Sequence, residues 1–133
     1  MFLRLTEAIR AANLRCEAFP DGMTVWVDGD TIYEPDAMVR CGPPIDDNAT
    51  EVTDPVIVVE VVSPSFKRRD SGGKLEDYFR IPSVRHYLIV KTENQAIIHH
   101  RRDEAVAITT HIVRDGVLQL DPPGLPVAGL FAQ

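Results

Sequence analysis

The chain has 133 residues, of which 44% are hydrophobic, so it can form one domain with a sizeable apolar core. Its formal net charge of −6 argues against a protein that holds nucleic acid by bulk positive charge. No run approaches the roughly 20 apolar residues that span a bilayer, and the N-terminus lacks a secretory signal, which predicts a cytoplasmic protein without a membrane partner.

The first part of the chain predicts one helix and three strands. The helix covers residues 3–13, where apolar side chains recur every three to four positions and Asn13 can end it in a left-handed cap. Strands are predicted over residues 14–19, 23–28 and 36–41. A Pro-Asp-Gly turn between the first two predicts that they form a hairpin.

The middle of the chain predicts a β-α-β unit. After a polar loop over residues 42–55, residues 56–62 form the most hydrophobic run, which is typical of a central strand covered on both faces. A helix follows over residues 66–80, with its firm part beginning at Asp70. A strand over residues 85–91 then completes the unit, and we expect it to lie parallel to the first.

The last part of the chain predicts further strands. Residues 95–101 and 105–114 form a meander, a short strand covers 117–120, and the proline-rich segment 122–131 wraps the domain and ends in a short helical turn. This order predicts a mixed α/β fold, with one central mixed sheet flanked by few helices, and a single domain over residues 1–133.

Two cysteines and two adjacent histidines invite a metal interpretation. Cys16 and Cys41 have no CxxC or Cys/His spacing, which favours reduced, partly buried thiols over a disulfide or a zinc site. His99 and His100 are neighbours in a predicted strand, so their side chains face opposite sides. We therefore interpret both histidines as ordinary strand residues.

Glu60 is the residue that most clearly indicates chemistry. It lies inside the apolar run Val-Ile-Val-Val-Glu-Val-Val, where burying an unpaired charge costs several kcal/mol, roughly, unless it is paired, protonated or bound to a metal. The plainer interpretation is a glutamate at the mouth of the strand, paired with an arginine. A functional carboxylate is the favoured interpretation.

Asp36 and Lys74 acquire meaning beside Glu60. Asp36 opens a strand after a proline and alone would indicate only a turn, but two carboxylates on adjacent strands can share a Mg²⁺ ion. Lys74 follows Asp70 by four residues and precedes Tyr78 by four, so the three line one face of the predicted helix. Spacing alone leaves Lys74 open between a site residue and an exposed lysine paired with a neighbouring acid.

A basic cluster, Lys67, Arg68 and Arg69, precedes this helix. Such clusters are usually solvated loops, but this one lies next to the predicted site. Phosphate contacts to DNA are useful there, so we interpret the three residues as candidate nucleic-acid contacts.

Together these residues resemble the Uma2 family of restriction endonucleases, a member of the PD-(D/E)XK nuclease-like superfamily. The resemblance covers roughly residues 33 to 131. It is carried by Pro35-Asp36, by the run Pro55–Ser65 around Glu60, by Arg69-Asp70, by Lys74 with Tyr78, by the strand that begins at Val84, and by Pro123-Gly-Leu-Pro-Val with Leu130-Phe131 near the end.

The resemblance implies a restriction-endonuclease-like fold and a catalytic set. Asp36 matches the aspartate of the PD element and Glu60 the second acidic position. The superfamily usually places its lysine two residues after that acid, where this chain has Val62; in this family a lysine of the following helix takes the role, and Lys74 matches it. The implied cofactor is Mg²⁺ or Mn²⁺, bound by the two carboxylates, and the implied substrate is DNA.

Three functions remain open from the sequence. The first is a Mg²⁺-dependent endonuclease that hydrolyses DNA phosphodiester bonds. The second is a catalytically inactive module of the same fold that binds nucleic acid or a partner protein. The third and weaker hypothesis is a structural subunit or fragment, because the chain is short at its N-terminus relative to the family and missing strands would leave a sheet edge that a homodimer could cover. Glu7 could replace an acid of the missing part, but an exposed helical glutamate is the favoured interpretation.

Overall fold

The computed structural model describes residues 1–62 and 71–131. Within them the chain forms two helices and ten strands. The helices are α1 (Phe2–Ala12) and α2 (Ser71–Phe79). The strands are β1 (Cys16–Pro20), β2 (Val25–Trp26), β3 (Ile32–Tyr33), β4 (Ala37–Cys41), β5 (Ile57–Val62), β6 (His86–Lys91), β7 (Ala96–Arg102), β8 (Ile108–Val113), β9 (Leu118–Leu120) and β10 (Leu125–Val127).

A six-stranded mixed sheet organises the fold, in the order β1-β4-β5-β6-β7-β8. Strands β5 and β6 are parallel, and the other neighbouring pairs are antiparallel. The parallel pair flanks α2 in the chain, as the β-α-β prediction requires. The structure confirms the predicted mixed α/β class with a central mixed sheet and few helices.

Each face of the sheet carries its own apolar cluster. On one face, Leu5 and Ile9 of α1 pack with Ile57 and Val59 of β5 and with three buried leucines and one valine of β9 and β10. On the other, Tyr78 and Phe79 of α2 pack with Val58 of β5 and with Tyr87 and Ile89 of β6. We call these the α1 face and the α2 face. Because β5 is covered on both, its apolar residues need not alternate with polar ones.

The structure corrects the predicted hairpin. β1 does not pair with the segment after the Pro-Asp-Gly turn; it pairs antiparallel with β4, and β2 pairs with β3 in a separate two-stranded sheet. The long-range pairing lets β1 place Phe19 on the α2 face and Ala18 against the α1 face. Burial on both sides thus outweighs the local turn signal.

Two further findings differ from the sequence expectations. Cys16 and Cys41, paired in the β1–β4 register, are joined in a disulfide and are partly buried, so the expectation of free thiols is wrong. Residues Leu125–Val127, expected as an irregular tail, form a strand that pairs with β9. The predicted left-handed cap at Asn13 is confirmed, with φ of 54°.

Neither helix within residues 1–62 and 71–131 is long and apolar enough to cross a membrane.

Candidate active site

Glu60 lies near the C-terminal end of β5. Strand alternation places it on the α2 face with Val58. Ile57 and Val59 point to the opposite side of the sheet and belong to the cluster on the α1 face. Only 8% of Glu60 is exposed. A carboxylate at this depth requires partners, and α2 provides them.

Two side chains one helical turn apart on α2 bind the same oxygen of Glu60. Lys74 donates from Nζ to Oε2 over 2.9 Å, and the Tyr78 hydroxyl donates to that Oε2 over 2.9 Å. The i, i+4 spacing that the sequence indicated therefore aims both donors at one acceptor. The described residues donate two bonds to the Glu60 carboxylate, and both reach Oε2 rather than Oε1.

Asp36 immediately precedes β4, the strand that pairs with β5. Alternation from Met38 places it on the α2 face, and its side chain is exposed. Its Oδ2 accepts a hydrogen bond from the backbone N–H of Val61 over 2.6 Å. This hydrogen bond links the two segments just beyond the end of the β4–β5 backbone pairing, and it holds the carboxylate beside the residue that follows Glu60.

Tyrosines surround the buried pair. The Lys74 ammonium lies 5.3 Å from the centroid of the Tyr33 ring, a cation–π distance. The Tyr78 ring centroid lies 5.2 Å from that of Tyr33 and 5.1 Å from that of Tyr87. Burial, and next the charge of Glu60, raise the pKa of Tyr78 far above its ordinary value, so its hydroxyl remains a donor at every physiological pH.

The short strand β3 is held against α2 by a polar chain. The Tyr33 hydroxyl donates to Oδ2 of Asp77 over 2.5 Å, and Asp77 pairs in turn with Arg80 at 3.2 Å. Arg80 also pairs with Asp28 in the loop before β3. Asp28 has a lowered pKa, first because the backbone N–H of Asp30 donates to it and then because Arg80 does. This chain keeps the Tyr33 ring beside Lys74.

The donor set fits a hard divalent cation. Asp36 and Glu60 come from neighbouring strands, project on one face, and each has one carboxylate oxygen held by the protein while the other receives none of those bonds. Mg²⁺ prefers oxygen ligands and is commonly bound through one or two carboxylates with several waters. Among the residues that the structure describes, no group of three or more His, Cys, Asp or Glu side chains could hold a metal.

The other sequence candidates fall elsewhere. Lys67, Arg68 and Arg69, like Asp70, lie outside the described residues. Glu7 is exposed on α1, across the sheet from Glu60, and pairs with Arg4 at 3.5 Å.

The two histidines do face opposite sides of the sheet. His99 contacts His86, whereas His100 stacks on Tyr87 and bonds Thr110. As the sequence indicated, the two histidines therefore do not form one site.

Two parts of the site were missed from the sequence. Tyr33 belongs to a two-residue strand that no periodicity reveals. Tyr78 was placed on the same helical face as Lys74, but its hydroxyl bond to Glu60 was not inferred. The sequence contained a signal for this bond. Tyr78 follows Lys74 by four residues, so the two side chains lie on one face of the helix and can reach the same buried acid of the preceding strand.

Comparisons with known proteins identify the family and the fold of the chain. A family model described as "Uma2: Putative restriction endonuclease" matches residues 2–130. Two uncharacterized proteins of Synechocystis sp. are similar: one is 33% identical over 95 residues, 71% of this chain and 50% of the relative, and the other is 28% identical over 89 residues, 65% and 50% respectively. The chain thus spans about half the length of these curated relatives.

A solved structure has the same fold. It is a crystal structure from Anabaena variabilis described as "a putative nuclease belonging to DUF820", with a TM-score of 0.70 and 14% sequence identity. The match covers 91% of this chain and 68% of that one. At this identity the likeness establishes the fold.

Proposed function

Because the chain belongs to the Uma2 family of restriction-endonuclease-like proteins, we propose that it is a Mg²⁺-dependent endonuclease that hydrolyses DNA phosphodiester bonds. Mn²⁺ is the expected substitute ion. Asp36, Glu60 and Lys74 are the proposed catalytic residues. DNA phosphates are the proposed ligands of the basic cluster Lys67, Arg68 and Arg69, which precedes α2 in the chain.

One observation carries the proposal: the bond between Lys74 and Glu60. A buried carboxylate paired with a single lysine is costly to keep, since an apolar pair of similar volume packs as well or better. Here the pair lies on the face that also holds the exposed Asp36, so it is open to a substrate at one end. Two acids on one face can hold the ion of a metal-assisted phosphodiester hydrolysis, and the lysine of α2 supplies a positive charge beside Glu60.

The residues have distinct roles in this proposal. Asp36 and Glu60 hold the metal. When bound, that ion supplies an activated water and neutralises charge on the phosphate. Lys74 has three ammonium donors, of which one bonds Glu60; within residues 1–62 and 71–131 no bond is described for the other two, whose role in the proposal is to orient the attacking water or to stabilise the negative charge that develops on the phosphate. Tyr33, beneath the ammonium, restricts its position.

The test is cleavage of supercoiled plasmid by the purified chain in Mg²⁺ or Mn²⁺. We expect nicked or linear product from the unmodified protein, and none from Asp36→Ala, Glu60→Ala or Lys74→Ala variants that keep their melting temperature within a few degrees. Glu34→Ala is the matched control, because Glu34 is an exposed acid two residues from Asp36. A folded protein that cuts no DNA in either ion contradicts the proposal.

A second candidate is an inactive nuclease-fold module that binds nucleic acid or a partner protein. It is favoured by a specific observation: each site carboxylate already has one oxygen engaged within the protein, as in a structural polar network. Calorimetry with Mn²⁺ separates the two functions. Binding that disappears in Glu60→Ala supports the nuclease, whereas partner or DNA binding without metal affinity supports the module.

The proposal includes a homodimer that acts in the cytoplasm. Double-strand cleavage uses two active sites, and the outer strands β1 and β8 leave backbone groups at the edges of the described sheet. Strand β8 is exposed along most of its length, and Ile112 on it is 66% exposed. Light scattering that gives the mass of one chain at micromolar concentration contradicts the dimer and leaves single-strand nicking possible.

A further inference from the structure

We propose that Tyr78 is a positioning residue of the site: its hydroxyl, together with Lys74, fixes one oxygen of Glu60 and so presents the other, Oε1, to a divalent metal. This inference rests on the proposed function, because it assumes that Glu60 is a metal ligand. Tyr78 itself does not touch the metal or the substrate in this arrangement.

The first step is the geometry of the carboxylate. The terminal torsion of a glutamate is broad, with little intrinsic preference for one rotation. Two donors at 2.9 Å on the same Oε2, from Lys74 and Tyr78, remove that freedom. Because both bonds reach one oxygen, the direction of Oε1 is determined by them. A single donor would leave the carboxylate free to turn about that bond.

The second step is the rigidity of the donor. Tyr78 is fully buried, and its ring lies between those of Tyr33 and Tyr87, with centroids 5.2 and 5.1 Å away. The Lys74 side chain is partly exposed and has several rotatable bonds. The tyrosine therefore provides the more rigid of the two donors, and the lysine adds the second bond from a side chain that keeps part of its surface accessible.

The third step separates positioning from simple packing. Tyr87 is also buried on the α2 face, contacts the Tyr78 ring, and makes no hydrogen bond to Glu60 among the described contacts. Removal of either hydroxyl leaves the aromatic cluster intact. Only the Tyr78 hydroxyl bears on the orientation of Glu60, which makes Tyr87→Phe the matched control for Tyr78→Phe.

The experiment is Mn²⁺ titration calorimetry on the full chain. We expect Tyr78→Phe to bind Mn²⁺ about 10- to 100-fold more weakly than the unmodified protein, the usual effect of losing a partner of a metal ligand. We expect Tyr87→Phe to bind it with unchanged affinity. Equal affinity of Tyr78→Phe and the unmodified protein overturns the inference while the proposed function stands. Absence of Mn²⁺ binding by the unmodified protein overturns both.

Two further variants keep the test decisive if Tyr78→Phe does not fold. Tyr78→4-fluorophenylalanine fills the volume of the hydroxyl without donating a hydrogen bond, and we expect it to fold and to bind Mn²⁺ weakly. Tyr78→4-aminophenylalanine keeps a donor at the same position, and we expect it to restore the affinity. Equal affinities of these two variants contradict a role for the donated bond.

Discussion

Lys74 and Glu60 form an ion pair across the boundary between a helix and a sheet, with Nζ 2.9 Å from Oε2. Thirteen residues lie between them in the chain. The pair is mostly buried, so its attraction is screened less than that of a surface pair. The lysine side chain keeps 23% of its surface accessible.

The first prediction concerns this lysine. We expect Lys74→Ala to lower the rate of DNA cleavage at least about 100-fold, as loss of a positioned donor to developing negative charge does. Lys91→Ala is the control: Lys91 ends β6 and alternates with Ile89 on the same α2 face, but it makes no described bond to Glu60. Both variants lose one positive charge, so equal losses of cleavage would refute a specific role for Lys74.

The second prediction concerns Asp36. We expect Asp36→Asn to retain the hydrogen bond from the Val61 N–H, because the amide oxygen also accepts, and to change the free energy of unfolding by less than about 1 kcal/mol. The variant loses the negative charge, so Mn²⁺ binding and cleavage are expected to disappear. Glu34→Gln provides the matched control. Full Mn²⁺ affinity in Asp36→Asn would remove Asp36 from the metal site.

The central strand shows what the sequence can predict of the fold. Residues 57–62 form β5 as expected, since a short β-branched run can only be stable when covered on both faces. The partner of β1 could not be predicted, because the turn after Pro20 gives only local information. The choice between β2 and β4 depends on which pairing buries Phe19, a property of the assembled sheet.

The site was predictable in part for a related reason. A charge in an apolar run identifies Glu60 by its energetic cost, and the i, i+4 spacing identifies Lys74 as a possible neighbour. Asp36 required the family resemblance, because acids after proline are common in turns. Tyr33 could not be found, since its approach to Lys74 depends on how the β2–β3 pair packs against α2.

The third prediction concerns a buried histidine pair on the α1 face. His86 Nδ1 lies 2.8 Å from His99 Nε2, and His86 Nε2 lies 2.8 Å from the carbonyl oxygen of Pro122. The carbonyl can only accept, so His86 carries its proton on Nε2 and accepts from His99 at Nδ1. Burial, the largest cause, lowers the pKa of each histidine to about 4, helped by the positive charge of Arg101.

These pKa values set the pH dependence of stability. Between pH 6.5 and about 4 both histidines are protonated in the unfolded chain but neutral in the folded protein. The free energy of unfolding therefore falls as the pH falls through that window. The charges of Arg101 and Arg85 also lower the pKa of His86, and those of His86, His111, Arg101 and His100 lower that of His99, so added protons meet further positive charge.

Denaturant unfolding at several pH values tests this. We expect His99→Gln, which can still donate to His86 but does not titrate, to reduce the loss of stability between pH 6.5 and 4. His111→Ala, which removes an exposed histidine of β8 whose charge helps to lower the pKa of His99, is expected to reduce that loss by a smaller amount. Equal pH dependence of His99→Gln and the unmodified protein would mean that His99 does not contribute to the acid sensitivity.

The fourth prediction concerns the disulfide between Cys16 and Cys41, which ties the outer strand β1 to β4. It closes a loop of 25 residues in sequence separation, and a cross-link of that length restricts the unfolded chain enough to add about 3 kcal/mol to the free energy of unfolding. Both cysteines pack on the α1 face, across the sheet from Glu60, so Mn²⁺ affinity is expected not to depend on the bond.

Denaturant unfolding with and without reductant measures the effect. Reductant is expected to destabilise the unmodified protein and to leave a Cys16→Ser, Cys41→Ser double variant unchanged. Two free thiols in the folded protein, by titration under non-reducing conditions, would show that the strands pair without a covalent link. Loss of Mn²⁺ affinity on reduction would contradict the independence of the metal site from the disulfide. It would show that the cross-link fixes the position of β4 and therefore of Asp36, which directly precedes the first residue of that strand.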